Sequence, residues 1–177
     1  RRRLRIRRAH LDDLPDVVRI ENASFSSPWS EQSLREELSG RLGSHFFVAE
    51  VEGRLAGYIG TWMFAGEAHI CTIAVDPQYR RGGLGEILML TMLQQAREYG
   101  NPYAILEYRV SNYGAAALYA KLGFEYLHRR RGYYQDTNED AIIVAIPDLE
   151  APSQIERLQE AYDRWLERHD YELCLEV

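Results

Sequence analysis

Apolar residues change their spacing several times along the chain, and each change marks an element. Leu4-Arg5-Ile6-Arg7 alternates apolar and charged positions, the period of a short strand with one solvated face. Leu14, Val17, Val18 and Ile20 then fall three and four apart, and Asp12-Asp13 ahead of them predicts a capped helix to about Ala23. A break at Ser27-Pro28-Trp29 precedes a second helix, opened by Ser30-Glu31, carrying Leu34 and Leu38 one turn apart and stopping at Gly40. His45 to Val51 and Leu55 to Phe64 are rich in Val, Ile, Tyr and Phe, with Glu52-Gly53-Arg54 between them as the turn of a hairpin.

Ala68 to Val75 is a further strand, ended by Asp76-Pro77. Beyond Gly85, apolar residues at 87–90, 92 and 93 predict a helix buried around most of its girth, stopping near Gly100-Asn101-Pro102. Tyr103 to Val110 is apolar on both faces, as a central strand of a covered sheet must be. A short helix, Gly114 to Leu122, ends at Gly123, and strands follow at Phe124 to Arg130 and Ala141 to Ile146. This order predicts an α/β (α+β) domain on a mixed sheet of seven strands, not a doubly wound nucleotide fold. From Ala151 to Asp170 the stripe Ile155, Leu158, Tyr162, Trp165 and His169 predicts an extra C-terminal amphipathic helix. The stripe suits packing on the chain's own surface, with a contact between chains as the alternative.

Charge sharpens the picture of the two ends. The chain carries 21 Lys+Arg against 27 Asp+Glu, and nine of those acids, with only three arginines, lie in residues 148–177. The rest is neutral, which argues against a direct nucleic-acid role. The one basic run, at residues 1–8, reads as the solvated face of the first strand in preference to a binding arm. No eighteen apolar residues run together and none follow the basic start as a secretory signal requires, so a soluble cytoplasmic protein is expected, with no membrane partner. Cys71 and Cys174 lie far apart with no Cys-x-x-Cys pair, and no metal site or disulfide framework is expected. The five histidines are scattered and show no ligand or nucleophile pattern.

The chemistry is concentrated where strand 68–75 meets the long helix. Arg80-Arg81-Gly82-Gly83-Leu84-Gly85 puts three glycines at that junction, where backbone N–H groups and the helix N-terminus can converge on a diphosphate while the arginines add charge. A plain glycine turn fits the composition equally well. The P-loop and dinucleotide fingerprints are both absent.

These residues resemble the Q/R-x-x-G-x-G/A coenzyme A loop of the GNAT acetyltransferase superfamily. Other segments are similar to its RimI type, the ribosomal-protein-alanine N-acetyltransferases: Phe25-Ser26-Ser27-Pro28-Trp29-Ser30-Glu31, Leu106 to Asn112, Ala117-Leu118-Tyr119 with Leu122-Gly123-Phe124, and Arg131-Gly132-Tyr133-Tyr134 through Glu139-Asp140-Ala141. Archaeal N-terminal acetyltransferases share several of these motifs. Tyr108 and Thr72 depart from the pattern, which Val and Asn more often fill. The resemblance covers Leu4 to Pro147 and implies an N-acetyltransferase domain over 1–147 on a mainly antiparallel sheet; residues 148–177, an acidic amphipathic helical tail by their own pattern, lie outside it.

The resemblance implies acetyl-CoA as cosubstrate, no metal, and the N-terminal amine of a protein as acceptor, a ribosomal protein with a small first residue. It assigns Glu107 as general base, Tyr119 as general acid, and Asn112 as a contact to the pantetheine arm. Backbone at Ile73, Ala74 and Val75 is to supply amide donors, Arg80 to Gly85 the diphosphate loop, and Trp29, Tyr133 and Tyr134 the walls around the acceptor. Residue chemistry runs the same way: a carboxylate between Ile105 and Arg109 on a central strand must be satisfied, by an ion pair or by function. Deprotonation at pH 7 costs roughly 1 kcal/mol for an α-amine and nearly 5 for a lysine, so one carboxylate manages the former more readily. A small-amine acetyltransferase and a non-catalytic coenzyme A sensor are the alternatives. The oligomeric expectation is a monomer or weak dimer.

Overall fold

The computed structural model describes residues 1–177. Strands β1 (Arg2–Arg8), β2 (Ser44–Val51), β3 (Arg54–Phe64), β4 (Glu67–Val75), β5 (Tyr103–Arg109), β6 (Glu125–Tyr134), β7 (Glu139–Ile146) and β8 (Tyr171–Glu176) form one sheet in the order β6-β7-β5-β4-β3-β2-β1-β8. Only β4 with β5 and β1 with β8 run parallel. The seven strands expected from the sequence are all present, and the tail adds an eighth.

Helices α1 (Leu14–Ser24) and α2 (Glu31–Leu38) cover one face; α3 (Leu84–Glu98), α4 (Tyr113–Leu122) and α5 (Pro152–Arg168) cover the other. Alternation along β2 shows why both faces are buried. Phe47, Ala49 and Val51 enter the larger core with α3, while Phe46 and Val48 enter the smaller one with Val17, Ile20 and Leu34. The Ser30 hydroxyl accepts the Ser33 N–H at 3.1 Å and caps α2 as expected. Asp13 does not cap α1. Its carboxylate instead takes two hydrogen bonds from Arg7, at 2.8 and 2.9 Å, and the His10 N–H at 2.7 Å.

The tail differs from the expected single helix in two ways. In α5 the buried side chains are Gln154, Leu158, Ala161 and Trp165, so the inner face is rotated from the expected stripe and Ile155 is left 38% exposed. Gln154 earns its burial by donating to the Leu122 carbonyl at 2.7 Å, at the C-terminus of α4. Residues 171–176 form β8 because Tyr-Glu-Leu-Cys-Leu-Glu alternates with period two and β1 offers a free edge. The acidic tail also answers the arginine-rich start: Arg1 pairs with Asp170 at 3.1 Å and Arg5 with Glu176 at 2.5 Å, while Arg3 and Arg7 pair with Glu52 and Glu50 of the hairpin. The basic run is thus largely a charged sheet face. No helix is long and apolar enough to cross a membrane.

Candidate active site

The parallel pair β4 and β5 is joined only from Glu67–His69 to Tyr103–Ile105, although β4 continues to Val75 and β5 to Arg109. Beyond that point the two strands separate. Backbone groups on the β5-facing edge of β4, around Ile73, Ala74 and Val75, therefore lack a strand partner and are open to an extended ligand rich in amides.

At the open end β4 runs into the glycine loop. Asp76 starts the turn: one carboxylate oxygen takes Arg19 at 2.7 Å and the other the Gln78 N–H at 2.9 Å. Burial opposes its ionisation, but these donors hold the carboxyl below its usual range. After the short turn Pro77–Tyr79, Arg81 and Gly83 have φ of +66° and +79°, with Gly82 between them outside that region. Alternation of this kind curls successive N–H groups into an anion-binding concavity, here directly before the free amides of α3. Holding Arg81 left-handed costs roughly 1–2 kcal/mol, which the surrounding turn must supply. Of the two arginines expected to add charge, Arg80 folds back onto the Val75 carbonyl (3.1 Å) and Ser24 (3.2 Å), and Arg81 remains the exposed cation beside the glycines. An open strand edge and a concave loop beside an exposed arginine offer the donors that an amide-bearing arm and a diphosphate require.

A cavity of about 730 Å³ fills the space between α1, β4, β5 and β6. It brings together Trp29, Ile73, Glu107, Asn112, Tyr119, Tyr133 and Tyr134 of the residues expected from sequence; Ala74, Val75 and residues 80–85 do not line it. Glu107 lies 2.9 Å from His69 Nε2. This hydrogen bond, opposed by burial, raises the His69 imidazole above its usual 6.5. Tyr119 is buried against Tyr108 and Phe124, at ring distances of 5.6 and 5.7 Å, and burial pushes its phenol up to about 12. It stays protonated at neutral pH and can donate. Asn112 caps α4, its oxygen accepting the Ala115 N–H at 3.1 Å, which leaves its amide donors for a ligand. Cys71 also lines the cavity, but burial raises its thiol well above the usual range and its Sγ donates to the Gly60 carbonyl at 3.3 Å. That environment suits an inert thiol better than a nucleophile.

Aromatic rings wall the cavity on two sides. Trp29 stacks on Trp62 at 6.3 Å, and the Trp29 N–H is anchored at 2.9 Å by Glu21, a buried carboxylate that also accepts from Tyr58. Opposite, Tyr134 lies under the Arg109 guanidinium, 4.1 Å from its ring centre, with Tyr133 edge-on at 5.1 Å. These two tyrosines end β6 beyond a register irregularity and do not sit in the loop where the sequence placed them. Arg109 grips Asp136 through two bonds, at 2.8 and 3.1 Å, and Asp136 also accepts from the Ser26 hydroxyl. Ser26 and Arg109 hold that carboxyl down to about 2. The link ties the α1–α2 connection to the β6–β7 turn across the cavity.

Sequence reasoning missed His69, Glu21 and Trp62. For His69 the available signal was parity: on β4 it shares a face with Cys71 and Ile73, but the facing residue on β5 became known only from the pairing. No group of three or more His, Cys, Asp and Glu side chains is placed to hold a metal ion.

Residues 14–124 match the model of the acetyltransferase (GNAT) family. Over 139 residues, covering 78% of this chain and 92% of the relative, the chain is 40% identical to a putative ribosomal protein bS18-alanine N-acetyltransferase of Bacillus subtilis. It is 36% identical over 156 residues to an N-alpha-acetyltransferase of Sulfurisphaera tokodaii, covering 81% and 92% of the two chains. The crystal structure of the ribosomal-protein-S18-alanine N-acetyltransferase from Escherichia coli superposes with a TM-score of 0.76 at 36% identity, over 82% of this chain and 94% of that one.

Proposed function

The chain belongs to the acetyltransferase (GNAT) family, and from that premise we propose that it acetylates the N-terminal α-amine of a protein, a ribosomal protein with a small first residue. Bound acetyl-CoA supplies the activated acetyl group. Its diphosphate is held by the N–H groups of residues 82–85 at the α3 N-terminus, with Arg81 as the nearby cation and Arg80 bracing the turn. Backbone of Ile73 to Val75 and the Asn112 amide direct the arm along the β4–β5 gap. Trp29 on one side, and Tyr133 and Tyr134 on the other, flank the acceptor's first residues. The Glu107–His69 pair takes one ammonium proton, the freed amine would attack the thioester carbonyl and expel the thiolate, Tyr119 would protonate that thiolate, and the second amine proton would return to Tyr119. The catalytic domain is assigned to 1–147, with 148–177 as an appended tail.

One observation carries this reading: the Glu107–His69 pair sits in the aromatic-walled cavity, on the two strands that then part. A carboxylate and an imidazole can strip an amine whose deprotonation at pH 7 costs roughly 1 kcal/mol. The test uses purified protein, acetyl-CoA and peptides differing only in the first residue, with released thiol as readout. Peptides beginning with Ala or Ser should turn over and their N-blocked forms should not; equal rates with blocked and free termini would refute the proposal.

A pH dependence follows from the same pair. The imidazolium form of His69 is favoured by Glu107, so the pair's stabilisation is fully present below the ordinary pH 6.5 and is lost as pH rises through the raised value. Activity should move oppositely, because a carboxylate bound to imidazolium is a poorer proton acceptor. The rate should rise through the raised His69 value, and His69→Gln should remove that limb while leaving the one set by the α-amine. An unchanged profile in the variant would show that His69 does not govern the base.

A further inference from the structure

The coenzyme loop touches a part of the chain that the family model, ending at residue 124, does not include. The indole N–H of Trp165, on α5, donates to the Gly83 carbonyl at 2.7 Å. The same carbonyl accepts the Ile87 N–H at 3.1 Å, the first hydrogen bond of α3, so both of its lone pairs are engaged. Trp165 is itself closely packed: it is 1% exposed, stacked on Tyr171 at 6.0 Å and tilted against the His169 ring at 4.9 Å. Tyr171 begins β8, which is zipped to β1, and its hydroxyl takes a bond from Arg2 at 3.0 Å. The fit to the loop is close, since a Cβ on Gly83 would lie 2.6 Å from Trp165 Nε1 and 2.5 Å from His169 Nε2.

A trans peptide is planar, with its C=O and N–H pointing in opposite directions. Fixing the Gly83 carbonyl therefore fixes the next N–H, that of Leu84, which points out of the α3 N-terminus and has no partner in the helix. We infer that Trp165 is a positioning residue for coenzyme binding: by locking the Gly83–Leu84 peptide from behind, it aims the Leu84 N–H at the diphosphate of acetyl-CoA. This rests on reading residues 80–85 as the coenzyme loop. It also gives the tail a role, as a strut that adds a second restraint to a glycine-rich segment held otherwise by the first hydrogen bond of α3.

Trp165→Phe keeps an aromatic ring and removes the donor. The Kd and KM for acetyl-CoA should rise about tenfold, measured well below the melting temperature, while kcat at saturating acetyl-CoA and the KM for acceptor peptide change less than twofold. A merely structural tryptophan would lower the melting temperature and leave the Kd of the folded protein unchanged. Should the smaller ring prevent folding, the isosteric analogue with sulfur in place of the indole N–H isolates the hydrogen bond and should show the same rise. Gly85→Val provides the separate control on the loop. If Gly85→Val abolishes coenzyme binding and removal of the indole donor leaves affinity unchanged, the strut is wrong; if Gly85→Val binds normally, the loop reading itself fails.

Discussion

Glu107→Gln should lower kcat by about 10²–10⁴ while the Kd for acetyl-CoA stays within twofold. The carboxamide keeps the shape and can still bond His69, now 2.9 Å from the carboxylate, but it cannot accept a proton. It also removes the charge that raises His69, so the imidazole should titrate at a lower pH in the variant. Side-chain NMR of His69 and steady-state kinetics read these two effects separately. A Gln variant with normal turnover, or one whose lost activity follows lost coenzyme affinity, would remove Glu107 from the proton path.

The second large effect is expected at the loop. Gly85→Val should weaken acetyl-CoA binding at least a hundredfold without altering the circular dichroism spectrum, because a Cβ at Gly85 meets only Val75 Cγ2, at 3.9 Å. On the proposed coenzyme reading, the added side chain would instead meet the diphosphate held at the α3 N-terminus. Gly83→Val makes a poor substitute, although the sequence presents the two glycines as equivalent. With φ of +79° and the tail rings in van der Waals collision with any Cβ, a side chain at Gly83 would dislodge α5 as well as the ligand. Calorimetric titration of the Gly85 variant at native affinity would show that the coenzyme lies elsewhere.

Much of the architecture was legible because hydrophobic period and turn chemistry agree along most of the chain. The long buried helix, the central strand with Glu107 and the loop all lie where the pattern places them. What was not legible depends on distant pairing. The early parting of β4 from β5 is a property of register, and no local pattern in either strand announces it. His69 gains meaning only from Glu107, 38 positions away. The tail had the opposite difficulty: the period-two alternation of β8 was present, but the strong helical stripe ending at Asp170 dominated the tail and no strand was assigned after it. The stripe found Leu158 and Trp165, which are buried, but counted Ile155, which is exposed, and passed over Gln154 and Ala161, neither strongly apolar, which are buried beside them.

The proposed reaction places the acetyl group on an α-amine in preference to a lysine. A single peptide with a free N-terminal alanine and one internal lysine, incubated with the protein and acetyl-CoA, offers both amines in the same tube. Fragmentation mass spectrometry then locates the added acetyl group. The acetyl group should appear on the α-amine of the alanine with the lysine unmodified, and acetylation of the lysine with the terminus left free would contradict the proposed function.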